Sequence, residues 1–328
     1  MSKIFNINYG WIMLNRFHAV IIETSAICNL RCKMCPTLSY QNSFGVMKDK
    51  VFNKIIDDIQ HVELIALEGW GEPFLDKKII KRIKKSKTKA KIVGITSNAT
   101  LINDKIISKL KDSGLDKLNI SIDGGSKEVY EKIRIGADFD KVFNNIKKIK
   151  ESNINVSLTC VITKMNYKEI NKIVQLANDL DVFELHLKPN DVISSEDMLD
   201  FSLSENELIE TYNEAKKYIH DKSYNIQLHA WNIFKELYPK NNCLANPLDG
   251  IFINYKGEVS PCCNLGHPVP RVKKNKLNIE KMINTFLSYG NIMDENIYQI
   301  WDKQEYVNFR DNIYNRILPL ECRFCNLF

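Results

Sequence analysis

The stretch Ala26–Pro36 reads AICNLRCKMCP and places cysteines at Cys28, Cys32 and Cys35, with the spacing C-x3-C-x2-C. Thiolates are soft ligands that select iron–sulfur clusters, zinc or Cu(I). A closed [4Fe–4S] or structural zinc site normally takes four ligands, but the next cysteine along the chain is Cys160. The trio therefore predicts a metal centre with one open position, at which a substrate or cofactor can bind.

Beyond residue 18, apolar β-branched runs alternate with amphipathic helical stretches. The predicted strands are Ala19–Glu23, Glu63–Glu68, Lys91–Thr96, Lys117–Asp123, Asn155–Thr163 and Val182–Lys188. The predicted helices are Asp49–Gln60, Asp76–Lys87, Asn103–Ser113, Phe139–Ser152, Tyr167–Leu180 and a further one near Ser204–His220. Six β-α units in series favour parallel strands with helices outside, in an open doubly wound sheet, a barrel or a partial barrel.

Polar motifs follow the first four predicted strands. The cysteine run follows the first strand, and the run GWGEP at 69–73 follows the second. Ser97 and Asn98 follow the third strand, and Asp123 ends the fourth, before two glycines. Because active sites of parallel α/β folds gather at the carboxyl ends of the strands, we expect these motifs to converge on one mouth.

The β-α rhythm is lost from about Ser223, and the rest of the chain carries cysteines of its own. A hairpin is predicted over Ile251–Ser260, with its turn at 255–257. We therefore predict three parts: an N-terminal extension at 1–18, an α/β part at 19–222 and a small C-terminal domain at 223–328.

The chain has 328 residues, a net charge of +6 and nine cysteines. The length suits roughly two domains, and cysteines at ligand-like spacings favour metal binding over disulfides. No apolar run is long enough to span a membrane, and the N-terminus lacks the pattern of a signal peptide, so we expect a cytoplasmic protein. The lysines of 77–91 form the solvated face of a predicted helix, so no nucleic-acid partner is expected.

These motifs together resemble the radical S-adenosylmethionine (SAM) superfamily, whose motif is C-x3-C-x-Φ-C; here Met34 holds the hydrophobic position Φ. The resemblance covers roughly residues 19–190 and implies a partial (β/α)6 barrel of the TIM type. It also implies that Cys28, Cys32 and Cys35 ligate a [4Fe–4S] cluster whose fourth iron is chelated by the amine and carboxylate of SAM. The resemblance also assigns Met34 to cofactor binding.

The resemblance also implies contacts with SAM. The GWGEP run is similar to the family's GGE motif, which assigns Gly71 and Glu72 to SAM binding. Glu72 and a neighbouring backbone carbonyl would accept hydrogen bonds from the SAM amine, although Trp70 departs from the usual glycine. Arg134 resembles an arginine that pairs with the SAM carboxylate, and Leu187 would pack on adenine. The residues expected at the ribose hydroxyls and the polar end of methionine are Ser97, Asn98, Ser121 and Asp123.

The C-terminal part resembles the auxiliary-cluster extensions called SPASM and twitch. Its motif C-x13-G-x4-C begins at Cys243 and ends at Cys262, and Cys322 and Cys325 form a C-x2-C pair. The long SPASM form has further cysteines after that pair, and these are missing here. The resemblance therefore implies the twitch pattern, with one auxiliary [4Fe–4S] cluster held by these four cysteines. The spacing alone also permits a structural zinc site.

Four further features carry predictions of their own, and all but Cys160 leave alternatives open. Cys263 is a hydrogen donor to a substrate radical, a spare buried thiol or the ligand in place of Cys262. Cys160 is predicted to face the helices as a core residue. His186 is interpreted as an ordinary strand residue, with a role in the pocket as the alternative. The aromatic stretch Tyr224–Tyr238 is interpreted as packing between the two parts, with a lid over the substrate as the alternative.

The implied function is reductive cleavage of SAM to a 5′-deoxyadenosyl radical, which abstracts hydrogen from a C–H bond. An auxiliary cluster that accepts an electron favours a net two-electron oxidation. The alternative is that this cluster only stabilises the fold of the small domain. Only 27 residues precede Cys28, too few for a leader-binding domain, so a sugar or aminocyclitol is the favoured substrate. The alternative substrate is a peptide or protein that is cross-linked, oxidised or epimerised. The expected electron donor is a flavodoxin or ferredoxin; a two-cluster electron carrier is the alternative of another class.

Overall fold

The structure, a computed structural model, describes residues 16–39, 44–190, 192–230, 243, 245–274, 279–282 and 285–325. The strands in these ranges are numbered in chain order. They are β1 Ala19–Ile22, β2 Arg31–Cys32, β3 Val62–Leu67, β4 Ala90–Ser97, β5 Lys117–Ser121, β6 Arg134–Ile135, β7 Val156–Ile162, β8 Glu184–Pro189, β9 Gln227–Ala230, β10 Gly250–Ile253, β11 Glu258–Ser260, β12 Arg271–Lys274, β13 Ile279–Met282 and β14 Gly290–Asn291.

The α-helices of the same ranges include all six that the sequence predicts. They are α1 Asp49–Asp58, α2 Ile79–Lys87, α3 Asp104–Lys111, α4 Lys127–Ile133, α5 Phe139–Glu151, α6 Ile170–Asp179, α7 Glu196–Phe201, α8 Glu205–Asp221, α9 Ile297–Trp301 and α10 Gln304–Tyr314. In α2 the apolar residues Ile79 and Ile83 are buried while its lysines lie on the other side, as predicted. α4 and α7 are additional helices of seven and six residues, too short to show a clear helical period in the sequence.

The largest sheet has ten strands in the order β14-β11-β10-β1-β3-β4-β5-β7-β8-β9. Six of them, from β1 through β8 in this order, are parallel to their neighbours and coincide with the six predicted strands. The edge strands β14 and β9 do not pair with each other in the described part of the chain, so the sheet does not close. The predicted partial (β/α)6 barrel followed by a smaller C-terminal part is confirmed.

The register of the parallel strands separates two faces. On the outer face, apolar residues pair across neighbouring strands, as where Leu158 lies beside Leu185 and Cys160 beside Leu187. All four side chains are fully buried in the core shared with the helices, which confirms the predicted position of Cys160. Because successive side chains point to opposite faces, Leu187 does not reach the other face. Its predicted contact with adenine is not tested by this position and stays a prediction.

The opposite face, which we call the inner face, carries polar side chains. Two rows of register-paired residues cross it. One row is Ser121, Thr159, His186 and His229, and the other is Thr96, Asn119, Ser157 and Glu184. A parallel sheet of a barrel buries its helix-facing side, so the polar rows mark the side that is free to receive a ligand.

β9 and β10 extend the parallel sheet at its two ends. β9 lies beyond Ser223, where the sequence pattern indicated the end of the β-α rhythm; its four residues QLHA carry too little apolar alternation to be recognised. β10 pairs in parallel with β1 and antiparallel with β11, which confirms the hairpin predicted over Ile251–Ser260. Gly257 adopts a φ of +93° in the turn. The C-terminal part is thus joined to the barrel by backbone hydrogen bonds.

Two predicted features fall largely outside the described residues. The N-terminal extension at 1–18 is described only from residue 16, and the aromatic stretch Tyr224–Tyr238 only as far as residue 230. Within that stretch, the Tyr224 hydroxyl donates to Oε1 of Gln175 on α6 at 2.5 Å, which is a packing contact of the kind predicted. In the part of the chain that the structure describes, no helix is long and apolar enough to cross a membrane.

Candidate functional site

The cysteine run follows β1 and is anchored beside the end of α4. β2 pairs antiparallel with β6, which sets Cys32 opposite Arg134. The Lys33 amide donates to the carbonyl of Ile133 at 3.0 Å, and the amide of Leu30 donates to Sγ of Cys28 at 3.4 Å. These contacts fix the loop on a helix that the sequence pattern does not reveal.

The loop thiols lie in surroundings that oppose ionisation. Burial raises the pKa of the Cys28 thiol, and it raises that of Cys32 to about 12. The cationic guanidinium of Arg134 partly offsets this effect at both thiols. Such thiols stay protonated at neutral pH unless a metal ion replaces the proton. Burial raises the pKa of the core residue Cys160 as well, so it is the three thiols at C-x3-C-x2-C spacing that mark this loop as a ligand set. Met34 within the loop is buried.

Glu72 links three of the predicted motifs. Its carboxylate accepts hydrogen bonds from the Ser97 hydroxyl at 2.8 Å, the Asn98 amide at 2.8 Å and the Phe74 amide at 3.1 Å. Its own amide donates to the carbonyl of Ile27, in the cysteine run, at 2.8 Å. Burial raises the pKa of Glu72. The strand ends converge as predicted, and a bond from the SAM amine would be a fourth to this carboxylate, which has about four acceptor sites.

The side-chain amide of Asn98 contacts the cysteine run. Its Nδ2 lies 3.8 Å from Sγ of Cys28 and donates to Oδ1 of Asn29 at 3.1 Å. Its Oδ1 accepts from the Thr100 hydroxyl at 2.7 Å. The side chain predicted to contact SAM is thus committed to the first cluster cysteine. Ser121, by contrast, ends β5 on the inner face and is partly exposed.

Asp123 and Arg134, both predicted to contact SAM, pair with each other. Oδ2 of Asp123 lies 2.7 Å from Nη2 of Arg134, and both side chains are buried. Oδ1 of Asp123 accepts from the amide of Val161 at 2.8 Å. Oδ1 thus holds a backbone amide while Oδ2 lies in ion-pair range of Arg134, and the predicted contact of Asp123 with SAM stays a prediction. The buried Nε of Arg134 makes no hydrogen bond within the described residues.

Gly71 lies against the backbone of the cysteine loop. A Cβ at this position would be 2.4 Å from the carbonyl oxygen of Ser25 and 2.5 Å from that of Ile27. The same addition at Gly94 in β4 would meet nothing nearer than 3.9 Å. The GWGEP run therefore requires glycine here because two loops approach each other closely.

Gly71→Ala is expected to displace the cysteine run and to weaken SAM binding by about tenfold or more, because backbone atoms cannot yield as a flexible side chain does. Equilibrium dialysis of SAM against the reconstituted protein measures this effect. Gly94→Ala is the matched control and should bind SAM as the wild type does. Equal affinities in the two variants would contradict the close approach.

Glu23, directly after β1, forms a buried junction that the sequence analysis missed. Its Oε2 lies 2.8 Å from Nε2 of His267, and its Oε1 accepts from the Trp70 amide at 2.9 Å. The rings of Trp70 and His267 are 5.2 Å apart, and the guanidinium of Arg271 lies 5.9 Å from the Trp70 ring. Trp70, which departs from the family's glycine, thus packs against the C-terminal part. Glu23 and His267 are 244 residues apart in sequence, so no local pattern could pair them.

The four predicted auxiliary ligands meet in one place. Cys243, Cys262, Cys322 and Cys325 line a common cavity together with Arg271. Burial raises the pKa of Cys262 to about 12 and also raises that of Cys322. Four thiols around one cavity are the complete ligand set of a closed cluster.

Cys263 has a different position from its neighbour. It does not line the cavity, and its Sγ lies 3.7 Å from Oδ1 of Asn264. Of the two alternatives for the ligand, the geometry therefore favours Cys262 over Cys263.

Comparison with known proteins agrees with this geometry. The model of the Radical SAM superfamily matches residues 22–177, and that of SPASM, an iron–sulfur cluster-binding domain, matches residues 243–326. The chain is 26% identical to the tungsten-containing aldehyde ferredoxin oxidoreductase cofactor-modifying protein of Pyrococcus furiosus, over 93% of this chain and 86% of that protein.

Two solved structures share the fold. Streptococcus suis SuiB bound to the precursor peptide SuiA superposes with a TM-score of 0.71 at 17% identity, covering 95% of this chain and 70% of SuiB. The protein anSMEcpe with bound AdoMet and the Cp18Cys peptide gives 0.68 at 18% identity, covering 94% and 87%.

The cofactors follow from the matched domains: SAM and a [4Fe–4S] cluster in the first, and auxiliary iron–sulfur chemistry in the second. The two family models cover both cysteine sets, and the barrel that positions the first set is the one the resemblance implied. The chain therefore belongs to the radical SAM superfamily and carries a C-terminal SPASM domain.

Proposed function

We propose that this radical SAM enzyme removes hydrogen from a C–H bond of a polar small molecule, such as a sugar or aminocyclitol, and completes a net two-electron oxidation. The observation that carries the substrate class is the hydrogen-bonding surface of the inner face. A site built to hydrogen-bond hydroxyl and amino groups discriminates strongly against apolar molecules, because its buried polar groups would lose their partners.

That surface is a connected network at the centre of the sheet. Oδ1 of Asn119 accepts from the hydroxyls of Ser157 at 3.2 Å and Thr159 at 2.8 Å, and its Nδ2 donates to the Thr96 hydroxyl at 3.4 Å. The Thr96 hydroxyl in turn donates to Glu68. Hydroxyl, amide and carboxylate groups held in fixed directions suit a substrate with several hydroxyl or amino groups.

The residues that would hold the first cofactor lie at the carboxyl ends of the strands. Cys28, Cys32 and Cys35 would ligate the cluster, with Asn98 donating toward the first sulfur. The Nε of Arg134 would donate to the SAM carboxylate. When bound, the cluster and SAM supply a 5′-deoxyadenosyl radical at this mouth. The chain's own part is to orient these groups and to exclude water.

The second half of the oxidation concerns the auxiliary site. The substrate would lose one hydrogen atom, then a proton to solvent and one electron to an acceptor held by the four-cysteine cavity. Arg271 lines that cavity and its guanidinium lies 5.9 Å from the Trp70 ring, so one side chain links the auxiliary site to the GWGEP run. The net loss is two electrons and two protons, which is a dehydrogenation. If the cluster only stabilised the fold of the C-terminal domain, this step would have no electron acceptor at the auxiliary site.

The substrate class is tested with the anaerobically reconstituted enzyme, dithionite and SAM. We expect aminocyclitols or sugars to increase the formation of 5′-deoxyadenosine and to yield a product that lacks two hydrogen atoms. Short peptides serve as the comparison set. Stimulation by peptides alone would overturn the small-molecule assignment while leaving the radical chemistry intact.

A peptide or protein substrate is the second candidate. Its support is that SuiB and anSMEcpe, which were each solved with a bound peptide, share this fold over nearly the whole chain. The third possibility, a two-cluster electron carrier, would produce no 5′-deoxyadenosine under any of these conditions. For the electron donor we propose a flavodoxin- or ferredoxin-type protein, since a chain with a net charge of +6 attracts an acidic partner.

A further inference from the structure

Three side chains form a compact cluster on the inner face of β8 and β9. His186 and His229 are register partners on these neighbouring strands, and Glu184 precedes His186 by two residues on the same face. The two imidazole rings are stacked, with centroids 4.6 Å apart and an interplanar angle of 13°. Oε2 of Glu184 lies 3.6 Å from Nε2 of His186.

The cluster has the composition of a metal site. One ligand atom from each of Glu184, His186 and His229 lies within 4.8 Å of the others. Among the described residues, this is the one group of three or more histidine, cysteine, aspartate or glutamate side chains that meets this limit. Ligands at about 2.0–2.2 Å from one tetrahedral ion are roughly 3.4 Å apart, so small side-chain rotations would close the site. Two histidines and one carboxylate are ligands of catalytic zinc and non-haem iron, which keep positions open.

An ordinary ion pair explains this arrangement less well. The pair of Glu184 with His186 is long, at 3.6 Å, and it does not account for His229, whose ring stacks on that of His186. Lys117 lies 3.8 Å from Glu184, at the edge of ion-pair range.

We propose that Glu184, His186 and His229 bind one divalent transition-metal ion of the zinc or iron(II) type on the inner face, separate from both cysteine sets. The remaining coordination positions face the space inside the barrel. A hydroxyl or amino group of the substrate would complete the coordination there. This substrate role rests on the proposed function, whereas the metal site itself does not.

The test uses zinc as the probe, because iron would be masked by the clusters. The reconstituted holoenzyme is dialysed against Zn²⁺, and zinc and iron are counted per chain. We expect one zinc ion per wild-type chain, and a loss of affinity of at least about tenfold in the variant His186→Ala with His229→Ala. His18→Ala is the matched control, because His18 is paired with Asp249 on the surface, and it should bind zinc as the wild type does.

Zinc X-ray absorption distinguishes this site from the cysteines. We expect nitrogen and oxygen ligands with imidazole scattering, and no sulfur. Sulfur ligation, or equal zinc content in the wild type and the double variant, would overturn the proposal. Unchanged iron content shows that the double variant is folded; if it is not, Glu184→Gln provides the second test, since it preserves the shape but should weaken zinc binding. If no hydroxylated substrate changes the binding of zinc, the proposed coordination of the substrate is wrong, while the metal site itself stands.

Discussion

Replacing Cys28, Cys32 and Cys35 together by alanine is expected to lower the iron content of the reconstituted protein from about eight to about four atoms per chain. The same variant should produce no 5′-deoxyadenosine. The reason is that the three half-buried thiols of one loop are proposed to ligate the SAM-binding cluster, and the four cysteines that line a cavity with Arg271 are proposed to ligate the other. Iron counting and product analysis after anaerobic reconstitution measure both effects.

Cys160→Ala is the control for this experiment. Cys160 is buried on the outer face among apolar side chains and belongs to neither set. Its replacement should leave the iron content and SAM cleavage unchanged. A trio variant that kept all of its iron would contradict the division of the cysteines into two sites.

Glu23→Ala is expected to lower the free energy of unfolding by about 3–5 kcal/mol, the range for breaking a buried pair by removing one partner. The change removes the acceptor of both the Trp70 amide and His267, in a place with no access to water. It also loosens the contact between the GWGEP run and the C-terminal part. Anaerobic urea denaturation of the holoenzyme, followed by far-UV circular dichroism, measures the loss.

The surface residue Glu63 provides the matched control. Its pair with Lys91 is exposed on both sides, and such pairs contribute about 0–1 kcal/mol. Glu63→Ala should therefore change the unfolding free energy only slightly. Similar losses in the two variants would show that Glu23 does not join the two parts of the chain.

The order of strands and helices could be predicted from the sequence because each element buries one apolar face at its own period. The alternation gave six strands within a few residues of their observed bounds, and the same period placed Cys160 against the helices. The pairing of β10 with β1 could not be predicted, because hydrophobic period carries no information about which distant strand is the neighbour. The strand β9 was not predicted, because its four residues are too few to show a hydrophobic period.

The candidate site, too, could be predicted from the sequence only in part. The convergence of the cysteine run, Glu72 and Asn98 was predictable, because parallel strands present their carboxyl ends at one edge. The pairing of Asp123 with Arg134 was not, because it depends on α4, whose seven residues give no clear period. The face of β8 on which Leu187 lies could not be predicted either, because it is known only once the register of β8 with β7 is known.

We propose that the loop of Cys28, Cys32 and Cys35 leaves one iron of its cluster open to SAM. Electron–nuclear double resonance on the dithionite-reduced enzyme tests it directly, with SAM labelled with ¹⁵N at the methionine amine. A ¹⁵N coupling strong enough to require direct coordination to iron, absent in the variant that lacks the trio, is the predicted result. A reduced cluster whose spectrum is the same with and without SAM would contradict the account.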